Sequence, residues 1–166
     1  MKSPFAKKPN IILVDDHKIF RQGLKSLITN EDLGKVVGEA SDGKEFINLL
    51  SLPAPDLVLM DVDMPEMNGM EASQEALKIY PNLKIIAFTM YDDEEYFRKM
   101  VEIGVKGYII KSTGINEVEQ AISDVMNGKT YFSKVSQKGN SKKADNKTPG
   151  DQNESNSKSS AGSWWW

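Results

Sequence analysis

Cysteine is absent from the 166-residue chain, which removes disulfide frameworks, thiol nucleophiles and Cys-ligated zinc or iron–sulfur centres. Histidine occurs once, at His17, too few for a His-cluster metal site and for most triad chemistry. Tryptophan is missing until the final three positions, Trp164, Trp165 and Trp166. Long apolar runs are missing too. The early stretch Ile11–Val14 stops at two aspartates, short of a signal peptide or a transmembrane span. The expectations that follow are a cytoplasmic location and no membrane partner.

What is present divides into two unlike parts. Apolar residues make up 39% of the chain, too many for a wholly disordered protein and too few for a membrane protein. The net charge of −3 averages an acidic body and a basic tail. Residues 133–166 carry 6 Lys against Asp145, Asp151 and Glu154, which leaves the first 132 residues at −6. An acidic body argues against nucleic-acid binding by this chain alone, because phosphate contacts need clustered Lys and Arg. The tail is rich in Ser, Lys, Asn, Gly and Gln, with only Val135, Ala144 and Ala161 apolar before the Trp run. Such a segment cannot bury enough surface to offset its ordering entropy, so 133–166 is expected to be a disordered tail, with its end a tag or scar. Residues 1–9 are expected to form a flexible leader.

Between residues 10 and 132, short apolar runs alternate with helical patterns. The strand candidates are Ile11–Val14, Val36–Ala40, Leu57–Met60, Lys84–Phe88 and Gly107–Ile110. One helical stripe is Ile19, Phe20, Gly23, Leu24, Leu27 and Ile28, and another is Val118, Ala121, Ile122, Val125 and Met126. Asp42 with Glu45 and Asn68 with Glu71 have the spacing of helix starts, and Asn127-Gly128 that of a stop. Five β-then-α units predict an α/β fold, a doubly wound five-stranded parallel sheet of flavodoxin-like order 2-1-3-4-5. Ligands of such sheets bind outside the strands' carboxyl ends, at the switch point between the first and third strands.

At those ends stand Asp15 and Asp16, Asp61, Thr89 and Lys111. Taken singly, each has an ordinary explanation: a helix cap, a loop carboxylate, a strand hydroxyl, a solvated amine. Together they share one edge of one sheet. Carboxylates crowded there repel by roughly 4 kcal/mol per close pair at an effective dielectric near 20. Oxygen ligands of this kind suit Mg²⁺ or Mn²⁺. Asp61 is then a nucleophile able to form an aspartyl phosphate, with Asp15 and Asp16 holding the metal and Lys111 and a hydroxyl facing the phosphoryl oxygens.

The segments Ile11-Ile12-Leu13-Val14-Asp15-Asp16-His17, Leu59-Met60-Asp61-Val62-Asp63-Met64-Pro65, Asn68-Gly69, Ile86-Ala87-Phe88-Thr89 and Gly107-Tyr108-Ile109-Ile110-Lys111 resemble the response-regulator receiver domains of two-component signalling, the CheY-like superfamily. The resemblance runs over about residues 10–132. Its Asp-Asp-His start and Gly-Tyr-Ile-Ile-Lys end look like the NarL/LuxR-type subfamily, whose members continue into a helix-turn-helix domain. The resemblance implies that Asp61 is the phosphoacceptor. Asp15, Asp16, Asp61 and the backbone carbonyl of Asp63 would hold Mg²⁺, for which Mn²⁺ can substitute. Lys111 matches the phosphate-binding lysine, Thr89 the switch hydroxyl and Tyr108 the switch aromatic. A sensor histidine kinase or phosphotransfer protein is the implied donor, phosphorylation-dependent homodimerisation an implied response, and DNA a partner only of a full-length parent. Ser112 departs from the family, since many receivers have proline after the lysine. Asp63 and Tyr91 occupy the variable places flanking the phosphoryl group. His17 reads as a partly exposed residue near the head of the first helix rather than as a phosphohistidine.

Other assignments fit less well. Haloacid-dehalogenase phosphatases also use an aspartyl phosphate, but place the nucleophile near the start of the fold and an acidic pair after the lysine, the reverse of the order here. A flavodoxin-like cofactor domain needs phosphate donors in its first loop, where Asp15-Asp16 would repel the ligand. Within the receiver assignment, the chain is read as the input half of a LuxR-type transcription regulator, with a stand-alone regulator as the alternative. It is read as a switch that turns over no separate substrate, not as an enzyme.

Overall fold

The computed structural model describes residues 5–51, 54–90, 92–113 and 116–133. Strands β1 (Asn10–Val14), β2 (Lys35–Ala40), β3 (Leu57–Asp61), β4 (Lys84–Thr89) and β5 (Gly107–Ile110) alternate with helices α1 (Lys18–Asn30), α2 (Gly43–Leu49), α3 (Gly69–Ile79) and α4 (Glu94–Ile103). A 3-10 turn at Lys111–Thr113 leads into α5 (Asn116–Met126), and a two-residue strand β6 (Tyr131–Phe132) follows. The sheet order is β2-β1-β3-β4-β5-β6, with every neighbouring pair parallel.

Apolar runs become strands here because both faces of the sheet are covered. Alternate side chains go to opposite layers. Ile12, Val14, Val58, Met60, Ile85, Ala87 and Tyr108 face Phe46 of α2, Ala72 and Ala76 of α3, and Phe97 and Met100 of α4. Their neighbours Ile11, Leu13, Leu57, Leu59, Ile86, Phe88 and Ile109 face Leu24 and Ile28 of α1 and four residues of α5. Each large side chain buried this way contributes about 1.5–3 kcal/mol, and the double winding fixes which strand ends meet. The flavodoxin-like order is as expected.

Two expectations are corrected. Among the described residues the sheet has six strands rather than five, because Tyr131 and Phe132 pair with Gly107 and Tyr108 beyond β5. Ile19 does not belong to the buried stripe of α1 and is 86% exposed. It lies five residues before Leu24, which at 100° per residue turns it about 140° off that residue's face.

Local signals place the helix ends well. Asp42 accepts from the Glu45 backbone N–H at 2.8 Å. Asn68 and Glu71 form a reciprocal capping box. The α5 pattern ends before Gly128, whose φ is +84°. At the margins of the described body, Phe5 packs against the α1/α5 layer and Pro9 is buried. Ser133 is also part of the folded body, with its hydroxyl donating to Glu117 at 3.2 Å. Residues 1–4, Tyr91 and 134–166, including most of the expected tail, lie outside the described residues.

Candidate functional site

Strand register brings the predicted residues together. Asp15 follows the last residue of β1, Asp61 ends β3 beside Phe88, Thr89 ends β4 opposite Ile110, and Lys111 follows β5. The helix-cap explanation of Asp15 and Asp16 fails, because the N-cap of α1 is His17 and no side chain caps it. Asp15 instead accepts from the His17 backbone N–H at 2.7 Å through Oδ1. Arg21 secures the turn by donating to the Asp15 carbonyl and pairing with Glu39 at 3.1 Å. The β3–α3 side is equally close. A Cβ on Gly69 would lie 2.1 Å from the Asp61 carbonyl oxygen, so only glycine lets the start of α3 approach the end of β3.

Asp15, Asp61, Thr89 and Lys111 are all buried, and Asp61 is only 1% exposed. The Lys111 ammonium donates to Asp15 Oδ2 at 2.8 Å, stands 3.5 Å from Asp61 Oδ1, and lies 4.4 Å above the centroid of the Phe20 ring. The Asp63 backbone N–H donates to Asp61 Oδ1 at 3.3 Å. Among the described residues, no hydrogen-bond partner reaches the buried Asp61 Oδ2. One ammonium therefore serves two buried carboxylates, with Asp16 at the more open rim. Burial, reinforced by the charge on Asp15 and only partly opposed by Lys111, pushes the Asp61 carboxyl up to about 8. A buried anion this poorly compensated is costly.

The donor set fits a small divalent cation. Ligating atoms of Asp15, Asp16, His17 and Asp61 all lie within 4.8 Å of one another, and the orphaned Asp61 Oδ2 points to a missing positive partner. Hard carboxylate oxygens are the ligands Mg²⁺ takes.

His17 is the residue that sequence reasoning placed incompletely. Its side chain is 54% exposed, as expected for a residue at the helix head, yet its Nδ1 turns inward. It lies 3.1 Å from Asp15 Oδ1, 3.2 Å from Asp16 Oδ1, 3.7 Å from Asp61 Oδ2 and 3.3 Å from the Lys111 ammonium. Adjacency to Asp15-Asp16 was the available signal, but it does not determine which way the ring turns.

Tyr108, on β5 beside Ala87 of β4, is fully buried. Its ring meets Phe97 edge-on at 5.2 Å, and Phe97 meets Phe132 in the same manner at 5.3 Å. Burial raises the phenol above its ordinary range, while the Thr89 side chain lowers it. Among the described residues, the buried Tyr108 Oη has no hydrogen-bond partner.

With this geometry in view, comparison with known proteins is decisive. Residues 11–123 match the response regulator receiver domain. The chain belongs to that family. Receivers are generally regulatory rather than enzymatic, and the two-component assignment replaces the phosphatase and flavodoxin alternatives. Among curated relatives, the transcriptional regulatory protein DegU of Brevibacillus brevis is 33% identical over 125 residues, covering 75% of this chain and 53% of that protein. Response regulator GacA of Pseudomonas viridiflava is 35% identical over 123 residues, covering 74% and 58%. This receiver chain thus spans a little over half the length of these relatives. A LuxR-family two-component response regulator from Aurantimonas sp. SI85-9A1 superposes with a TM-score of 0.78 at 32% identity, over 83% of this chain and 99% of that one. The receiver domain of the response regulator NarL from Mycobacterium tuberculosis gives 0.68 at 27% identity, over 74% and 99%. Among the described residues, no helix is long and apolar enough to cross a membrane.

Proposed function

We propose that this receiver accepts a phosphoryl group on Asp61 from the phosphohistidine of a sensor histidine kinase or phosphotransfer protein. The observation that carries the reading is the buried Asp61 Oδ2, without a hydrogen-bond partner, beside Asp15, Asp16 and Lys111. Oδ2 has a free lone pair to attack phosphorus in line. The Oδ2–P bond forms as the P–N bond of the donor breaks, and the departing imidazole keeps the electron pair and takes up a proton. Asp63 N–H holds the other carboxylate oxygen, which fixes the orientation of the nucleophile.

Asp15, Asp16, Asp61 and the Asp63 carbonyl are the groups that would hold Mg²⁺, or Mn²⁺ in its place. When bound, the cation supplies positive charge that reduces carboxylate repulsion and offsets charge on the phosphoryl oxygens. Lys111 supplies a second, fixed charge from the β5 side. Its ammonium is already 3.5 Å from Asp61, so a small movement away from Asp15 brings it to a phosphoryl oxygen.

Thr89 converts the chemical event into a change of surface. Its hydroxyl turns toward the new phosphoryl oxygen, and this alters the contact it makes with Tyr108. Tyr108 is packed on Phe97 of α4 and, through it, on Phe132 of β6, so the change reaches the α4–β5–α5 face. A phosphorylation-dependent homodimer through that face belongs to the same reading. We further assign the chain as the cytoplasmic input half of a LuxR-type transcription regulator, supported by its similarity to the transcriptional regulatory protein DegU, of which the match covers 53%. In this reading the domain promotes its own phosphorylation and dephosphorylation, and DNA is contacted by the parent protein only.

The test is intact-mass analysis after incubation with acetyl phosphate and Mg²⁺. One phosphoryl group is expected on the wild type and none on Asp61→Asn. Labelling that survives in Asp61→Asn, or an undiminished rate in EDTA, contradicts the assignment. Thr89→Ala is expected to keep the label while losing the chemical-shift response around Tyr108.

A further inference from the structure

The His17 Nδ1 faces the carboxylate cluster of Asp15, Asp16 and Asp61, a direction its sequence position did not indicate. In an octahedral site with metal–ligand bonds of about 2.1 Å, adjacent ligand atoms stand about 3.0 Å apart. His17 Nδ1 lies 3.1 Å from Asp15 Oδ1 and 3.2 Å from Asp16 Oδ1, close to the spacing of neighbouring ligands on one ion. A second observation, separate from this clustering, is the 1%-exposed Asp61, whose Oδ2 lacks a hydrogen-bond partner and stands 3.7 Å from the same Nδ1. The backbone holds the ring in position to serve. His17 is the N-cap of α1, and its N–H is bonded to Asp15 Oδ1 at 2.7 Å.

We infer that His17 Nδ1 is a direct ligand of the divalent cation and biases this receiver toward Mn²⁺ over Mg²⁺. The inference rests on the cation-dependent reading proposed above and deepens it. Mg²⁺ is a hard ion that prefers oxygen and keeps much of its water, whereas Mn²⁺ and later first-row ions accept imidazole more readily. A nitrogen ligand added to an aspartate set therefore changes the ratio of affinities more than it changes affinity for Mg²⁺. Binding also removes His17 from the 3.3 Å contact with the Lys111 ammonium, leaving that amine to the carboxylates and the phosphoryl group. His17 acts here as a specificity-determining ligand, not as a phosphoryl acceptor.

The test uses the whole chain and binding rather than phosphorylation. Mn²⁺ and Mg²⁺ titrations are followed by calorimetry for wild type, His17→Ala and Asp15→Asn, and Mn²⁺ complexes are examined by electron spin-echo spectroscopy. The ring is half in solvent and makes no cap hydrogen bond, so His17→Ala keeps its fold, which circular dichroism verifies. Expected results are an imidazole ¹⁴N modulation in the wild type that disappears in His17→Ala, an Mn²⁺ affinity lowered about tenfold, and an Mg²⁺ affinity changed by less than about twofold. Absence of ¹⁴N modulation in the wild type, or an equal loss for both ions in His17→Ala, overturns the inference while leaving the aspartate site intact. Failure of the wild type to bind either ion, or unchanged binding of both in Asp15→Asn, would instead overturn the underlying cation site, and the ligand role with it.

Discussion

The two ends of this sheet treat charge in opposite ways. At the amino ends, Lys35 opens β2, Lys84 opens β4, and Lys106 and Lys129 precede β5 and β6. Lys35, Lys106 and Lys129 are exposed, and Lys84, Lys106 and Lys129 line one shallow hollow. At the carboxyl ends, Asp15, Asp61, Thr89 and Lys111 are buried, and Asp61 Oδ2 is left without a partner. A lysine in water needs no compensation, whereas a carboxylate out of water does. The same backbone ladder thus produces an inexpensive charged rim at one end and an electrostatically incomplete crevice at the other. Incomplete compensation, rather than charge density, separates the end proposed to be functional from the opposite one.

Substitutions can break or sharpen that contrast. The largest effect is expected at Asp61, where Asp61→Asn removes phosphoryl acceptance altogether. Next comes Gly69→Ala, whose new Cβ would collide with the Asp61 carbonyl oxygen. A loss of about 3 kcal/mol is expected in urea unfolding, because backbone rather than a flexible side chain must yield. Third is a pH dependence carried by Asp61. Its folded pKa of about 8 lies above the ordinary 3.8, so the folded state holds a proton that the unfolded chain releases. Its contribution to metal-free stability is full below pH 4 and is lost as pH rises toward and through 8. Asp61→Asn removes this term, so the variant should exceed wild type by the order of 2 kcal/mol at pH 8.5 and by much less at pH 5. A stability difference that does not vary between those pH values contradicts the burial account. Smallest is the opposite rim, where Lys106→Ala and Lys129→Ala should each stay within about 0.5 kcal/mol of wild type and leave phosphorylation unchanged. A phosphorylation defect there would erase the distinction between the two ends.

Most of this arrangement was legible in the residues. Parallel strands covered on both faces must be almost continuously apolar, so Leu57–Met60 and Lys84–Phe88 announced themselves, and the polar residue ending each run marked the site edge. Asp42, Asn68 and Gly128 signalled helix boundaries because their chemistry is local. What stayed illegible depends on contacts made at a distance. The strand β6 is two residues long, too short for a period, and exists because β5 offers it an edge. The direction of the His17 ring depends on Asp15, Asp61 and a lysine 94 residues away. Ile19 lies within helical reach of Gly23 but about 140° from Leu24. Which of those two directions faces the sheet is settled only by the packing of α1, which leaves Ile19 exposed. Tyr108 could be matched to a switch aromatic, but its packing against Phe97 is a tertiary fact.

The most direct measurement is the position of the phosphoryl group. Borohydride reduction after exposure to acetyl phosphate and Mg²⁺ converts an acyl phosphate on aspartate to homoserine, which tandem mass spectrometry can locate. The account predicts homoserine at Asp61 alone, and none when EDTA is present. Modification at Asp15, Asp16 or Asp63 instead, or equal modification of Asp61 without the cation, would contradict it.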